Sequence, residues 1–113
     1  MTVQEIVDLL QAKIAAGNEK TDNVISGGYA SDLLSNVMGQ ARLGSIWVTM
    51  QAHQNIVAVA SLLGLSAVII AGGVQLNNET ILKAEKEGIP LLTTSLSAFE
   101  VIGLLYDAGI KGS

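Results

Sequence analysis

The chain has 113 residues, of which half are hydrophobic, 14% are charged and none is cysteine, and its formal net charge is −4. This composition excludes a disordered chain, a disulfide scaffold and thiolate metal sites, and it predicts one domain over residues 1–113. The basic residues are dispersed along the sequence, which argues against nucleic acid as a partner. An amino terminus without a secretory signal pattern favours a cytoplasmic protein.

The first segment has the pattern of an amphipathic helix. Thr2 and Glu5 form a capping box at its start. Apolar residues continue at helical spacing to Ile14, and Gly17 can end the helix. The other elements of this half are predicted as a strand over residues 23–29, a short helix capped by Ser31 or Asp32 and ending at Gly39, and a strand over residues 45–49.

The second half continues the alternation of strands and helices. Its predicted elements are a helix over residues 54–63, a strand over 67–71, a helix over 79–87 capped by Asn77 or Asn78, a strand over 91–94, and a helix from Ser97 to about Ala108. Short apolar strands joined by helices indicate right-handed crossovers and a mostly parallel sheet. The predicted fold class is a single α/β domain, with a sheet of four strands or slightly more flanked by helices.

The middle of the sequence is nearly free of charge. Between Asp32 and Glu79 the only charged residue is Arg42, whereas solvated faces normally carry charges every few residues. The segment is therefore buried in the domain, buried against a partner, or placed in lipid. We expect no membrane span, because Gly64 divides the uncharged run and no cluster of Lys or Arg flanks it.

The helix predicted over residues 54–63 is apolar on nearly every side. A helix of this kind is normally buried all round, which a small domain achieves most easily by self-association. We therefore predict a homodimer, with Ile56, Val59, Ala60 and Leu63 at its interface. The alternatives are that helices of the same chain cover this helix, or that it docks a different protein.

Small and hydroxyl-bearing residues occupy the predicted carboxyl ends of the strands, at 26–28, 49–51, 71–73 and 93–95. Ligands of parallel sheets bind at this edge, and turns rich in N–H groups and hydroxyls suit a small anion. Any α/β protein also needs turns and helix caps of similar composition, so both interpretations are open. The residues predicted to contact a nucleotide-like or other anionic ligand are Thr49, Gln51, His53, Gly72, Gly73 and Thr94.

No recognisable set of catalytic residues accompanies these turns. The sequence has no P-loop, no nucleophile elbow and no cluster of metal ligands. His53 is the only histidine, and no acidic residue lies near it in the sequence to orient it as a base. His53 is interpreted either as a ligand contact or as a structural hydrogen-bonding residue at a helix start. An enzyme is therefore disfavoured, and no cofactor or metal is expected.

Several segments resemble the DRTGG domain family. They are residues 28–39 (GYASDLLSNVMG), residues 46–56 (IWVTMQAHQNI), the strand ending at residues 72–73, and residues 88–94 (GIPLLTT). Their order and spacing agree with the family over roughly residues 3–110. The resemblance implies an α/β domain like the amino-terminal domain of HPr kinase/phosphorylase, of a kind that also occurs in phosphotransacetylases and CBS-domain pyrophosphatases. It further implies a non-catalytic regulatory or dimerising module.

The chain departs from the signature that names this family. Gly39-Gln40-Ala41 stands where G-D-R is expected, and Ala71-Gly72-Gly73 stands where T-G-G is expected. The missing Asp-Arg pair would have supplied charged groups to hold a polar ligand, and Arg42 is the nearest substitute. Two hypotheses follow: a dimeric regulatory module that senses a small anionic ligand, or a protein-interaction module without a ligand.

Overall fold

A five-stranded sheet with helices on both faces organises residues 1–112, which are the residues that the computed structural model describes. The helices α1 to α5 span Val3–Leu10, Leu34–Gln40, Asn55–Leu63, Asn78–Glu87 and Ala98–Asp107. The strands β1 to β5 span Lys13–Ala16, Gly27–Ala30, Ser45–Thr49, Ala67–Ile70 and Leu91–Thr93. A short 3₁₀ helix, Asn18–Lys20, follows β1.

The strand order in the sheet is β1-β5-β4-β3-β2. Strands β2 to β5 are parallel, whereas β1 pairs antiparallel with β5 at the edge. Tyr29, Trp47 and Val68 lie side by side across three neighbouring strands. The predicted α/β class and the mostly parallel sheet are confirmed, with one strand more than the four that the sequence indicated.

The sheet separates two hydrophobic cores. Ile46 and Val48 face the core shared with α1 and α5, whereas Trp47 between them faces the core shared with α2, α3 and α4. This alternation follows from the two-residue period of a strand. Both faces of the sheet are covered, so β3 and β4 are buried at every position, and they are apolar except for Ser45 and Thr49 at the two ends of β3.

Polar side chains start three of the helices as predicted. Thr2 and Glu5 form the capping box of α1, with the Glu5 carboxylate accepting from the Thr2 N–H at 3.0 Å. Asn77, rather than Asn78, caps α4 by accepting from the Thr80 N–H at 2.9 Å. The Ser97 hydroxyl accepts from the Glu100 N–H at the start of α5.

The prediction was wrong where α1 ends. The helix stops at Leu10, because Gln11 adopts a left-handed conformation with φ of 51°. Residues 13–16 then form β1, and Ile14 pairs with Leu92 of β5 instead of extending the helix. Lys and Ala favour helices, so pairing with the open edge of β5 has overridden local propensity here.

The first predicted strand also began too early. Within residues 23–29, only Gly27 and the residues after it join the sheet. The preceding residues pair with the chain's amino terminus: the Val3 N–H donates to the Asn23 carbonyl at 3.0 Å, and the Ile25 N–H donates to the Met1 carbonyl at 2.8 Å. These residues therefore anchor α1 rather than extending β2.

The apolar helix α3 is largely covered by its own chain. Ile56 and Ala60 have no exposed surface and Val59 retains 7%, whereas Leu63 is half-buried. The outward side of α3 carries Leu62, which is 70% exposed. Three of the four residues predicted at a dimer interface are therefore buried within the single chain. An interface on this helix would have to use Leu62 and its neighbours.

The long uncharged run of the sequence is divided between α3 and β4. In the part of the chain that the structure describes, none of the helices has both the length and the apolar character needed to cross a bilayer.

Candidate ligand-binding site

A cavity of about 590 Å³ opens beyond the carboxyl ends of β4 and β5, and we call it the β4–β5 cavity. Its walls come from the α1–β1 connection, the loop after β4 and the loop after β5. Because β1 is antiparallel to β5, its first residue, Lys13, lies beside Thr93 at this edge. The volume is within the range of about 300–1,000 Å³ that is typical of small-molecule sites.

The wall of the cavity is mixed in chemistry and carries one charge. Of the described residues that line it, Lys13 is the only one with a charged side chain. Amide and hydroxyl side chains form the polar part, and aliphatic side chains form the rest. The polar lining residues are Gln11, Gln75, Thr93, Thr94 and Ser95, and the apolar ones include Leu10, Leu76, Ile81 and Leu96.

Two glycines shape the loop after β4, with φ of 77° at Gly72 and 71° at Gly73. Their N–H groups donate to the carbonyls of Leu96 at 2.7 Å and Thr94 at 3.0 Å, which joins this loop to the loop after β5. The fold therefore uses both amides, and neither is left for a ligand. A Cβ on Gly73 would have no atom nearer than Ser95 Cα at 4.0 Å, so this position borders open space.

Thr94 is partly structural, since its hydroxyl accepts from the Leu96 N–H at 3.1 Å. In contrast, the backbone N–H groups of Gln75 and Ser95 find no acceptor within residues 1–112. Ser95 is also exposed. The cavity therefore offers Lys13, a hydroxyl and two unpaired N–H donors, and these groups together suit a small anion.

A second polar cluster lies at the carboxyl ends of β2 and β3, and we call it the Asp32 cluster. The Asp32 carboxylate accepts from the Thr49 hydroxyl at 2.7 Å and from the Met50 N–H at 2.8 Å. The Gln51 side-chain amide donates to the Asp32 carbonyl at 3.2 Å. Asp32 therefore joins two loops instead of capping α2, which begins without a side-chain cap. Residues 26–28, predicted as a strand end, instead lie at the start of β2.

His53 lies at the start of α3, where its Nδ1 accepts from the Asn55 N–H at 3.1 Å. This geometry matches the structural interpretation of the residue. Of the six predicted contacts, the cavity includes Gly73 and Thr94, and Gly72 lies beside them in the same loop. Thr49, Gln51 and His53 are outside the cavity, so the structure does not bring the predicted set together.

Sequence reasoning missed the polar residues Gln11, Lys13, Gln75 and Ser95. The first two could be placed at the cavity only by recognising β1, and a short run of Lys, Ile and Ala carries no local signal that separates it from a continued helix. Ser95 belongs to the turn at residues 93–95 that the sequence predicted at the carboxyl edge, but it was not among the six predicted contacts. Gln75 follows the glycine turn that was already singled out.

Of the two altered segments of the family signature, Ala71-Gly72-Gly73 follows β4 beside the cavity, whereas Gly39-Gln40-Ala41 lies at the opposite edge of the sheet. Gln40 ends α2 and Ala41 is buried, and the Arg42 carbonyl accepts from the Ser45 N–H at the amino end of β3. The cavity is at the carboxyl edge, so the missing Asp-Arg pair removes no group from it. Within residues 1–112, no three His, Cys, Asp or Glu side chains are grouped to hold a metal ion.

A mostly parallel sheet with helices on both faces defines a small α/β domain, and a cavity opens at the carboxyl edge of this sheet. The chain belongs to the DRTGG domain family, whose model matches residues 5–108. Among curated proteins, none matches this chain.

Among solved structures, the chain is similar to the CBS and DRTGG domains from the regulatory region of the Clostridium perfringens pyrophosphatase. That structure was determined in complex with its activator, diadenosine tetraphosphate. The TM-score is 0.77 at 23% sequence identity, over 92% of this chain and 45% of that one. The chain thus spans less than half of that regulatory region, and at this identity the likeness establishes the fold.

Proposed function

We propose that this DRTGG domain is a non-catalytic regulatory module that binds a small anionic, nucleotide-like ligand in the β4–β5 cavity. The observation that carries the proposal is the cavity of about 590 Å³ whose one charged side chain is Lys13. The similar pyrophosphatase region was solved with a nucleotide activator, which makes nucleotides the first class of ligand to test.

A ligand in the cavity would regulate the domain by linking the separate segments that form the cavity walls. Apart from Ile81 of α4, they belong to three segments that are far apart in the sequence, at residues 10–15, 73–76 and 93–96. A ligand that contacts all three holds the α1–β1 connection against the end of β5. Such a ligand shifts the protein between two states only if it binds one of them more tightly.

We further propose that the domain is a homodimer through the outward side of α3. Leu62 is 70% exposed there, and Ala58 is exposed beside it. The helix has no charged residue, so this side is poorly suited to water. Val59 and Ala60 lie on the buried side of the same helix and pack it onto the core.

The ligand proposal is tested by thermal unfolding against adenine and guanine nucleotides, dinucleotides and phosphorylated metabolites. A ligand at a hundred times its Kd adds about 2.7 kcal/mol to the free energy of unfolding. For a chain of this size, that corresponds to a rise in Tm of roughly ten degrees. Lys13→Gln should remove most of the rise. Lys86→Gln, which changes an exposed lysine on α4 away from the cavity, should leave it intact.

No rise in Tm with any member of the panel would contradict ligand binding. That result would favour the protein-interaction module, with α3 as the surface to examine.

The dimer is tested by sedimentation of the wild type and two charge variants. Leu62→Glu should give a monomer with nearly unchanged stability, because the side chain is already in solvent. Phe99→Glu is the matched control: Phe99 is 85% exposed on α5, on the opposite face of the sheet. A monomeric wild type, or dissociation by Phe99→Glu alone, would contradict the interface on α3.

A further inference from the structure

Gln11 has an unusual backbone conformation for its residue type. Within residues 1–112 it is the one residue other than glycine with positive φ, at 51°. It ends α1, at a position where a left-handed residue is normally glycine or asparagine. Glutamine in this conformation is strained, and residues held in such conformations cluster at sites that clamp a ligand.

Gln11 also lies at the wall of the proposed site. Gln11 lines the β4–β5 cavity together with Lys13. Glycine at this position would relieve the strain but would remove the amide from the wall. The amide is therefore the property that distinguishes glutamine from the residue that the backbone prefers.

The charges of the wall limit the ligand to a small number of anionic groups. Lys13 is the only charged side chain among the described lining residues, and Ser95 adds a hydroxyl and an unpaired N–H. These donors suit one phosphate. Each further phosphate would enter a wall with no second cation, in a chain whose net charge is −4.

The remaining wall residues suit a planar ring system that has hydrogen-bonding groups along one edge. Leu76 and Ile81 supply apolar surface, and Gln11 and Gln75, which both line the cavity, carry amide side chains. An amide side chain presents a donor and an acceptor together, which is the arrangement that pairs with the edge of a purine.

We propose that the β4–β5 cavity takes a purine nucleoside monophosphate. Its phosphate is held by Lys13 and Ser95, and its base lies against Leu76 and Ile81, within reach of the Gln11 amide. The left-handed conformation of Gln11 is retained for this contact. This inference rests on the proposed function and specifies the class of ligand.

Calorimetry with AMP, GMP, CMP, UMP, adenosine, ATP, diadenosine tetraphosphate and inorganic phosphate tests the class. A purine monophosphate should bind about tenfold or more tightly than adenosine, which lacks the charge-assisted contact of the phosphate, and than inorganic phosphate, which lacks the contacts of the base. It should bind at least as tightly as ATP. Tenfold tighter binding of ATP or diadenosine tetraphosphate, or equal binding of adenosine, would overturn the inference.

The role of Gln11 is tested by Gln11→Gly. The variant should raise the Tm of the unliganded protein by a few degrees, because glycine accepts this backbone conformation, and should weaken purine monophosphate binding several-fold. Gln4→Gly is the matched control, since Gln4 is exposed within α1. It should lower the Tm and leave affinity unchanged. Unweakened binding by Gln11→Gly would overturn the role of the amide.

Failure of this inference is distinguishable from failure of the proposed function. If a phosphorylated sugar or a carboxylate metabolite binds, purine monophosphates do not, and Lys13→Gln abolishes that binding, then the anion site stands and the ligand class is wrong. If no anion binds to the wild type, both are wrong.

Discussion

The two ends of the carboxyl edge of the sheet have similar polar residues. At one end these residues are hydrogen-bonded to each other, and at the other end they are not. At the β2–β3 end, the Asp32 cluster is closed: the Asp32 carboxylate accepts two hydrogen bonds, and the hydroxyl of Thr49, only 2% exposed, is fully engaged. At the β4–β5 end, the cavity of about 590 Å³ leaves Lys13 and the Ser95 N–H without a partner in the described residues. Polar residues alone do not define a site at this edge.

The difference shows what separates a structural cluster from a binding site. Buried polar groups are normally paired within the fold. Thr49 meets this requirement through Asp32, so its hydroxyl is already used within the fold. At the other end, Gly73 has no side chain to fill the open space beside it, so the donors there face solvent.

The two ends meet where β3 and β4 finish side by side, and the Ala71 N–H donates there to the Thr49 carbonyl at 2.9 Å. A Cβ built on Gly72 would come within 2.9 Å of Met50 Cε. Met50 follows β3, and its N–H donates to Asp32, while the Gly72 N–H donates to Leu96 beside the cavity. The Asp32 cluster therefore supports the loop that forms one wall of the cavity.

Asp32→Ala gives the largest expected effect and tests whether the β2–β3 end is structural. It removes two charge-assisted hydrogen bonds, to the Thr49 hydroxyl and the Met50 N–H. The expected loss is about 2–3 kcal/mol in the free energy of unfolding, measured by urea titration. The ligand should still raise the free energy of unfolding of the variant. Asp22→Ala, at an exposed carboxylate, should change stability by less than about 0.5 kcal/mol.

A loss of ligand response in Asp32→Ala at temperatures where the variant is folded would contradict the structural role of the β2–β3 end. That outcome would move the binding site to the β2–β3 end.

Gly73→Ala has an intermediate effect and tests the open end. Alanine in the left-handed region costs about 1–2 kcal/mol, and its methyl group would lie in the open space beside Ser95. Gly88→Ala is the matched control, because Gly88 has φ of 68°, close to the 71° of Gly73, and does not line the cavity. Both variants should lose similar stability, whereas only Gly73→Ala should weaken the ligand. Equal affinity in the two would place the ligand elsewhere.

The sequence predicted the parallel core because its signals are local. The strand around Trp47 is a run of β-forming residues, and Gly64 and Gly88 end helices α3 and α4 in left-handed conformations as expected. Asn77 and Ser97 start the next two helices for the same local reason. Elements of this kind need no knowledge of their neighbours.

The cavity could be predicted only in part, because two of its six polar lining residues, Gln11 and Lys13, depend on a non-local pairing. Gly73 and Thr94 follow strand ends that are visible in the sequence. Lys13 reaches the cavity only because residues 13–16 pair antiparallel with β5, and this pairing replaces a helix that the local pattern favours. Asp32 was misassigned for a related reason: its partners Thr49 and Met50 lie 17 and 18 residues away.

His53→Ala gives the smallest expected effect and sharpens the boundary between the two ends. Alanine removes the Nδ1 acceptor of the Asn55 N–H at the start of α3, at an expected cost of about 0.5–1 kcal/mol. His53→Asn should recover most of this loss, because its side-chain oxygen can accept the same hydrogen bond. Calorimetry should show unchanged ligand affinity in both variants, since His53 does not line the cavity. If His53→Asn restores stability but not affinity, the imidazole itself contacts the ligand, and the binding site must extend along the edge toward α3.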